Sequence, residues 1–205
     1  GGRNTAAFKA RREAQKDIRA VLRKDPADAA RGAALLVERL SPAFSQVDDS
    51  SGALQTQIRK TLALLEDCLT RAALPDAEHD ALLESLWKAW LADDMPWIER
   101  LADRWGALCR TPERTRAWAT RLQNLMDPNP DGDWHERWME SDRYRLPLLP
   151  TLVAAGEHDE VIRLAIDSPH WHEQRHAIEA LRAQGRRAEA LRCIRASEPE
   201  ERTTE

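Results

Sequence analysis

The strongest chemical signal in the chain is His172-Glu173-Gln174-Arg175-His176, which matches H-E-x-x-H. On a helix the two imidazoles share a face one turn apart, where they can hold zinc while the glutamate serves as base. The surroundings argue the other way. Zinc-protease helices are apolar around the motif, and here Gln174 and Arg175 fill its middle. The extended form of the motif needs a glycine and then a third histidine, and those places hold Glu179 and Arg182. Little chain follows in which a distant glutamate ligand could be presented. A looser divalent-metal site would use His170, His172 and His176. The expectation is that neither forms, so no metal, cofactor or catalytic residue is assigned.

Other chemistry-bearing patterns are fewer. Asp48-Asp49-Ser50-Ser51-Gly52 lacks the alternating oxygen ligands and terminal glutamate of a calcium loop, and helix capping explains it better. No Gly-rich phosphate loop or nucleophile elbow is present. Cys68, Cys109 and Cys193 are far apart and odd in number, so they form neither a disulfide framework nor a zinc knuckle. They sit at apolar helical positions as small hydrophobes, which implies a reducing, cytoplasmic setting.

Eight tryptophans are a surplus, and seven of them, from Trp87 to Trp138, fall in one stretch. Most sit at inward helical positions and should fill the gaps between helices. Trp134 and Trp138 do not. They lie one turn apart beside a Pro-rich break, among Asp131, Asp133, Glu136, Glu140 and Asp142. They either staple that break onto the helices or face a groove as anchors for a partner protein or peptide. The acidic surroundings disfavour stacking on nucleic-acid bases.

The elements that position these residues are helices. Among 205 residues, Leu numbers 25 against 7 Ile and 5 Val, and Ala, Leu, Arg and Glu, all good helix formers, dominate. Residues 5–24 read as a helix ended by Asp25-Pro26. A second runs from Ala29 to Phe44, and a third carries Leu54, Ile58, Leu62, Leu65 and Leu69. A fourth opens at Pro75-Asp76. A fifth, capped by Asp94 with Pro96 in its first turn, extends through Leu108. Thr111-Pro112-Glu113 starts a sixth. Asp127-Pro128-Asn129-Pro130-Asp131-Gly132-Asp133 then breaks the pattern. The expected organisation is an N-terminal helical bundle or array over 1–126, the Pro/Asp-rich break over 127–133, and C-terminal helical-hairpin repeats with an acidic tail over 134–205.

The repeat is explicit. Leu149, Leu152, Gly156, Ile162 and Ala165 recur as Ile178, Leu181, Gly185, Leu191 and Ile194, each 29 residues on. Each copy is helix, glycine turn, helix, and such a hairpin must stack on neighbours to bury its apolar face. The expected fold is all-α, antiparallel hairpins stacked as an α-α superhelix.

The two copies, with Leu152-Val-Ala-Ala-Gly-Glu-His-Asp-Glu-Val-Ile, resemble degenerate tetratricopeptide repeats, somewhat shorter than the usual period of about 34 residues. Val47-Asp48-Asp49-Ser50-Ser51-Gly52, the Leu-rich helix through Cys68, and Ala77 to Asp94 resemble a helical region of bacterial proteins of unknown function. Some of those carry a SWIM-type zinc finger. Its Cys-x-Cys and Cys-x-His ligands are absent here, so the resemblance implies no zinc chemistry and transfers no catalytic residue.

The net charge of −4 disfavours a dedicated nucleic-acid binder. Arg outnumbers Lys by 26 to 5, which reads as a composition bias. Charge is segregated all the same. Residues 1–24 hold 8 basic and 2 acidic side chains, and residues 75–105 hold 8 acidic and 3 basic. Solvated helix faces explain this simply; a basic first helix docked on an acidic surface or on nucleic acid is the alternative. No stretch of 18 apolar residues spans a membrane, and no apolar core makes the N-terminus a signal peptide. Gly1-Gly2 in place of Met suggests a piece of a longer protein. The reading that follows is a non-catalytic scaffold binding a protein or peptide partner, with Trp134 and Trp138 as contact residues. The alternatives are a metal-dependent hydrolase using His172, Glu173 and His176, and a nucleic-acid accessory module using the basic first helix.

Overall fold

Capping chemistry sets some of the helix boundaries. The Asp25 carboxylate accepts the Asp28 backbone N–H at 2.9 Å, and Pro26, with no N–H to lose, opens the helix that follows. Thr111 does the same through its hydroxyl for the helix opened by Pro112. The structure, a computed structural model, describes residues 2–44, 53–126 and 134–197, with the backbone alone over 2–8, 53, 134–142 and 197. Among the described residues it is all helix, with no strand. In chain order the helices are α1 (Gly2–Leu22), α2 (Pro26–Glu38), α3 (Leu40–Phe44), α4 (Ala53–Arg71) and α5 (Asp76–Leu91), then a 3-10 helix (Glu99–Arg104). They continue with α6 (Trp105–Cys109), α7 (Pro112–Met126), α8 (Trp134–Ala155), α9 (His158–Ala165), α10 (Trp171–Ala183) and α11 (Arg187–Ser197). None is long and apolar enough to cross a membrane.

Two compact units divide between Arg104 and Trp105. In the first, α2 packs on α1, α4 and α5. Its centre is small on one side and large on the other: Ala29, Ala30, Ala33 and Ala34 of α2 let Leu54, Ile58, Leu62 and Leu65 of α4 come close. The expected single helix from Ala29 to Phe44 is split at Arg39, because Pro42 has no N–H to donate to the Glu38 carbonyl one turn earlier. The expected fifth helix also differs. Buried Asp93, not Asp94, accepts the Ile98 N–H at 2.7 Å, and a 3-10 helix and the short α6 follow in place of a continuous helix.

In the second unit α8 packs against α6, α7, α9 and α10. Gly106 is pressed against α8: a Cβ there would lie 2.3 Å from the Pro150 carbonyl oxygen. The expected break at Asp127–Asp133 lies outside the described residues; the helices before and after it, α7 and α8, pack on each other.

Gly156 and Gly185, 29 residues apart in the sequence, end their helices in the same way. Gly156 (φ 79°) ends α8 and Gly185 (φ 76°) ends α10, both left-handed. At each turn the glycine N–H reaches the carbonyl three residues back, at 3.1 and 3.0 Å. The next N–H reaches five back, Glu157 to Leu152 at 3.0 Å and Arg186 to Leu181 at 2.8 Å. This Schellman pair satisfies the last carbonyls of both helices, and glycine reaches it without a Cβ penalty.

Candidate functional site

The expected contact residues Trp134 and Trp138 lie on the first turns of α8, and their side chains are outside those described. The Asp48–Gly52 segment lies outside the described residues too.

The H-E-x-x-H residues fall on the first turns of α10. His172 is exposed and stacks on His170, ring centroids 5.4 Å apart, whereas His176 is buried. Glu173, 3% exposed, points into the protein. Its carboxylate accepts from Arg145 of α8 at 2.6 Å, and the same guanidinium nitrogen donates to the Leu164 carbonyl of α9, also at 2.6 Å. One arginine thus ties three helices, and Glu173 supplies the countercharge that lets it sit half-buried. A carboxylate held this way is turned from solvent and from any water it would have to activate. Among the described residues, no three or more His, Cys, Asp or Glu side chains are grouped to hold a metal ion.

Several tryptophans are core, as their stripe positions imply. Trp87 and Trp90 stack at 5.1 Å, and Trp105 meets Trp118 edge-on at 4.9 Å, all four buried. Arg121 lies over the Trp118 ring at 4.4 Å. Trp171 differs, 54% exposed at the start of α10. Sequence reasoning passed over it because it stands outside the Trp-rich stretch; its polar neighbours His170, His172 and Glu173 were the available signal. On α11 Leu191 is 52% exposed. Its counterpart in the first copy, Ile162, packs on the cluster of Ile178, Leu181 and Ala190.

The basic first helix gains a shape. Lys9, Arg12, Lys16 and Arg19 of α1, with Lys60 of α4, line an open groove of about 1050 Å³ that also contains Glu13. Its floor is polar and built: Gln15 donates to the Thr61 hydroxyl at 2.6 Å, and Arg11 to the Gln57 side-chain amide oxygen at 3.0 Å. Burial, with Arg12 beside it, pushes the Arg11 guanidinium below its ordinary value.

The cysteines carry no visible chemistry. Cys68 and Cys109 are buried and Cys193 is half-buried. Burial pushes the Cys68 thiol up to about 11, the opposite of an activated nucleophile.

No family model matches this chain, and no curated protein or solved structure matches it either.

Proposed function

We propose that the chain is a non-catalytic helical scaffold that binds another protein or a peptide, and that its C-terminal hairpins are tetratricopeptide-like units of a stacked α-α superhelix. The observation that carries this reading is the unequal cover of two matching positions. Ile162 of the first hairpin packs on α10, while Leu191 of the second is 52% exposed, with Trp171 54% exposed on the same hairpin. Terminal repeats that end an array present a polar outer face. An apolar one suits continued stacking against a partner, and tryptophan is among the residues enriched as anchors of such contacts. Trp134 and Trp138 remain the second candidate pair, through the residue types and spacing already described.

The experiment is affinity capture with matched baits: the wild type, Trp171→Ala with Leu191→Asp, and Trp134→Ala with Trp138→Ala, each with its melting temperature measured. A partner lost by either variant at unchanged stability supports the scaffold. The same partners on all three baits remove these surfaces from the reading. Stoichiometric zinc that disappears in His172→Ala would replace the reading with the hydrolase.

A further inference from the structure

Elsewhere in the molecule several arginines are paired with carboxylates. Arg31 meets Glu78 at 2.5 Å, Arg71 meets Asp67 at 2.8 Å, Arg145 meets Glu173 at 2.6 Å, Arg163 meets Glu160 at 2.6 Å and Arg186 meets Glu189 at 2.7 Å. Arg104 is paired with Glu66. The α1/α4 groove departs from this. Lys9, Arg12, Lys16, Arg19 and Lys60 are all exposed, and none forms an ion pair with a described carboxylate. Five cations share one groove with a single acid, Glu13. Concentrating like charge without partners is unfavourable in the free protein, and a bound anion relieves it.

The spacing narrows the anion. Lys9, Arg12, Lys16 and Arg19 stand at i, i+3, i+7 and i+10, one stripe along α1 about 15 Å long. A second helix laid along α1 with carboxylates at the same steps would meet each cation once per turn. Lys60 closes the opposite wall from α4, and the Gln15–Thr61 and Arg11–Gln57 bonds hold that wall in place before anything binds. Nucleic acid fits less well. No aromatic side chain lines the groove among the described residues, so bases have nothing to stack on. Glu13 interrupts a phosphate track, and the chain carries a net charge of −4.

We propose that the groove between α1 and α4 docks an acidic helical segment of a partner protein, whose carboxylates on successive turns meet the Lys9–Arg12–Lys16–Arg19 stripe. The proposal rests on the scaffold reading only in that the partner is a protein; it uses other helices and other residues.

The test is fluorescence anisotropy with the full chain and four labelled probes. They are an Ala-rich helical peptide with Glu at i, i+3, i+7 and i+10, the same composition scrambled, a single-stranded oligothymidylate and a DNA duplex. The patterned peptide should bind, weaken with added salt, and bind at least about tenfold more tightly than its scramble. Lys16→Glu with Arg19→Glu should weaken it at least about tenfold, while Arg163→Gln, a cation removed from another helix, should leave it unchanged. Circular dichroism checks that each variant is folded. Equal binding of both peptides, binding insensitive to the groove variant, no peptide binding, or tighter binding of either nucleic acid would each overturn the proposal. The Trp171 and Leu191 baits read the scaffold separately. A partner captured there while the peptide fails sinks the groove alone; a peptide that binds while no bait captures anything sinks the hairpin surface alone.

Discussion

Arginine is abundant both on α1 and in the C-terminal hairpins, and the two regions use it differently. In the hairpins three guanidiniums have a local task. Arg163 chelates Glu160 within one turn of α9, Arg186 chelates Glu189 at the start of α11, and Arg145 joins three helices through Glu173 and the Leu164 carbonyl. On α1 the cations form a stripe facing a groove, with no described carboxylate paired to them. A surplus of arginine therefore says little by itself. What separates structural from ligand-directed charge is whether the protein supplies the counterion.

The largest effect that could break this comparison is at Glu173. Glu173→Ala leaves Arg145 half-buried without its carboxylate, and losing one partner of a buried pair costs about 3–5 kcal/mol. Denaturant melts of the purified variant should show it. Neutralising Lys16 to Gln on the α1 stripe should change stability by no more than about 0.5 kcal/mol. A Glu173→Ala variant as stable as the wild type would mean that the H-E-x-x-H glutamate is not a structural tie, and would reopen its chemistry.

That pair also shows where the sequence was legible. The two glycine turns could be read because their signal is local: a glycine ending a helical pattern predicts a left-handed turn, and both Gly156 and Gly185 adopt one. Asp25-Pro26 and Thr111-Pro112 could be read for the same reason. The role of Glu173 could not, because its partner Arg145 lies 28 residues away and only the packing of α8 on α10 brings them together. The charge of α1 was plain in the sequence, but the groove needs Lys60 and Gln57 of α4. Asp93 and Asp94 are equivalent as letters; burial chose Asp93 as the cap for Ile98. The Pro42 split at Arg39 was missed because the apolar ladder ran on past it.

The turn glycines give the next effect. A Cβ at Gly156 or Gly185 meets no atom within 4 Å, so Gly→Ala at either turn costs only backbone strain, about 1–2 kcal/mol. The two variants should melt alike. A large difference between them would show that the copies are not equivalent even in their shared turn.

The hairpins do differ in cover, which predicts an unequal response. Ile162→Ala removes atoms packed on Ile178 and Leu181 and should cost about 1–2 kcal/mol, less than for a fully buried site. Leu191→Ala, at the matching position of the second copy, should stay within about 0.5 kcal/mol because the side chain is 52% exposed. Equal losses in urea melts would mean that Leu191 is covered in solution, for instance by a second copy. Repeating the Leu191→Ala melt across protein concentration would identify that case.

The smallest effect is in pH. The Arg163 hydrogen bond holds the Glu160 carboxyl below its ordinary 4.5, with burial opposing, and Arg186 does the same for Glu189. A carboxyl with a depressed folded value stabilises the fold above the ordinary carboxylate range, and that contribution is lost as pH falls through the folded value. Glu160→Gln should therefore flatten the acid limb of stability by a few tenths of a kcal/mol, the usual size for an exposed pair, and change nothing at neutral pH beyond that amount. The α1 cations form no ion pair with a described carboxylate, so Lys9→Gln or Lys16→Gln should leave the acid limb as it is. At the alkaline end the sign reverses. Cys68 is raised from 9.0 to about 11, so the unfolded thiol ionises first and stability declines between those values. Cys68→Ser should remove that decline, and Cys193→Ser should not. An acid limb that moved with the α1 variants would mean that the stripe already has a carboxylate partner within the protein, and the contrast between the two regions would disappear.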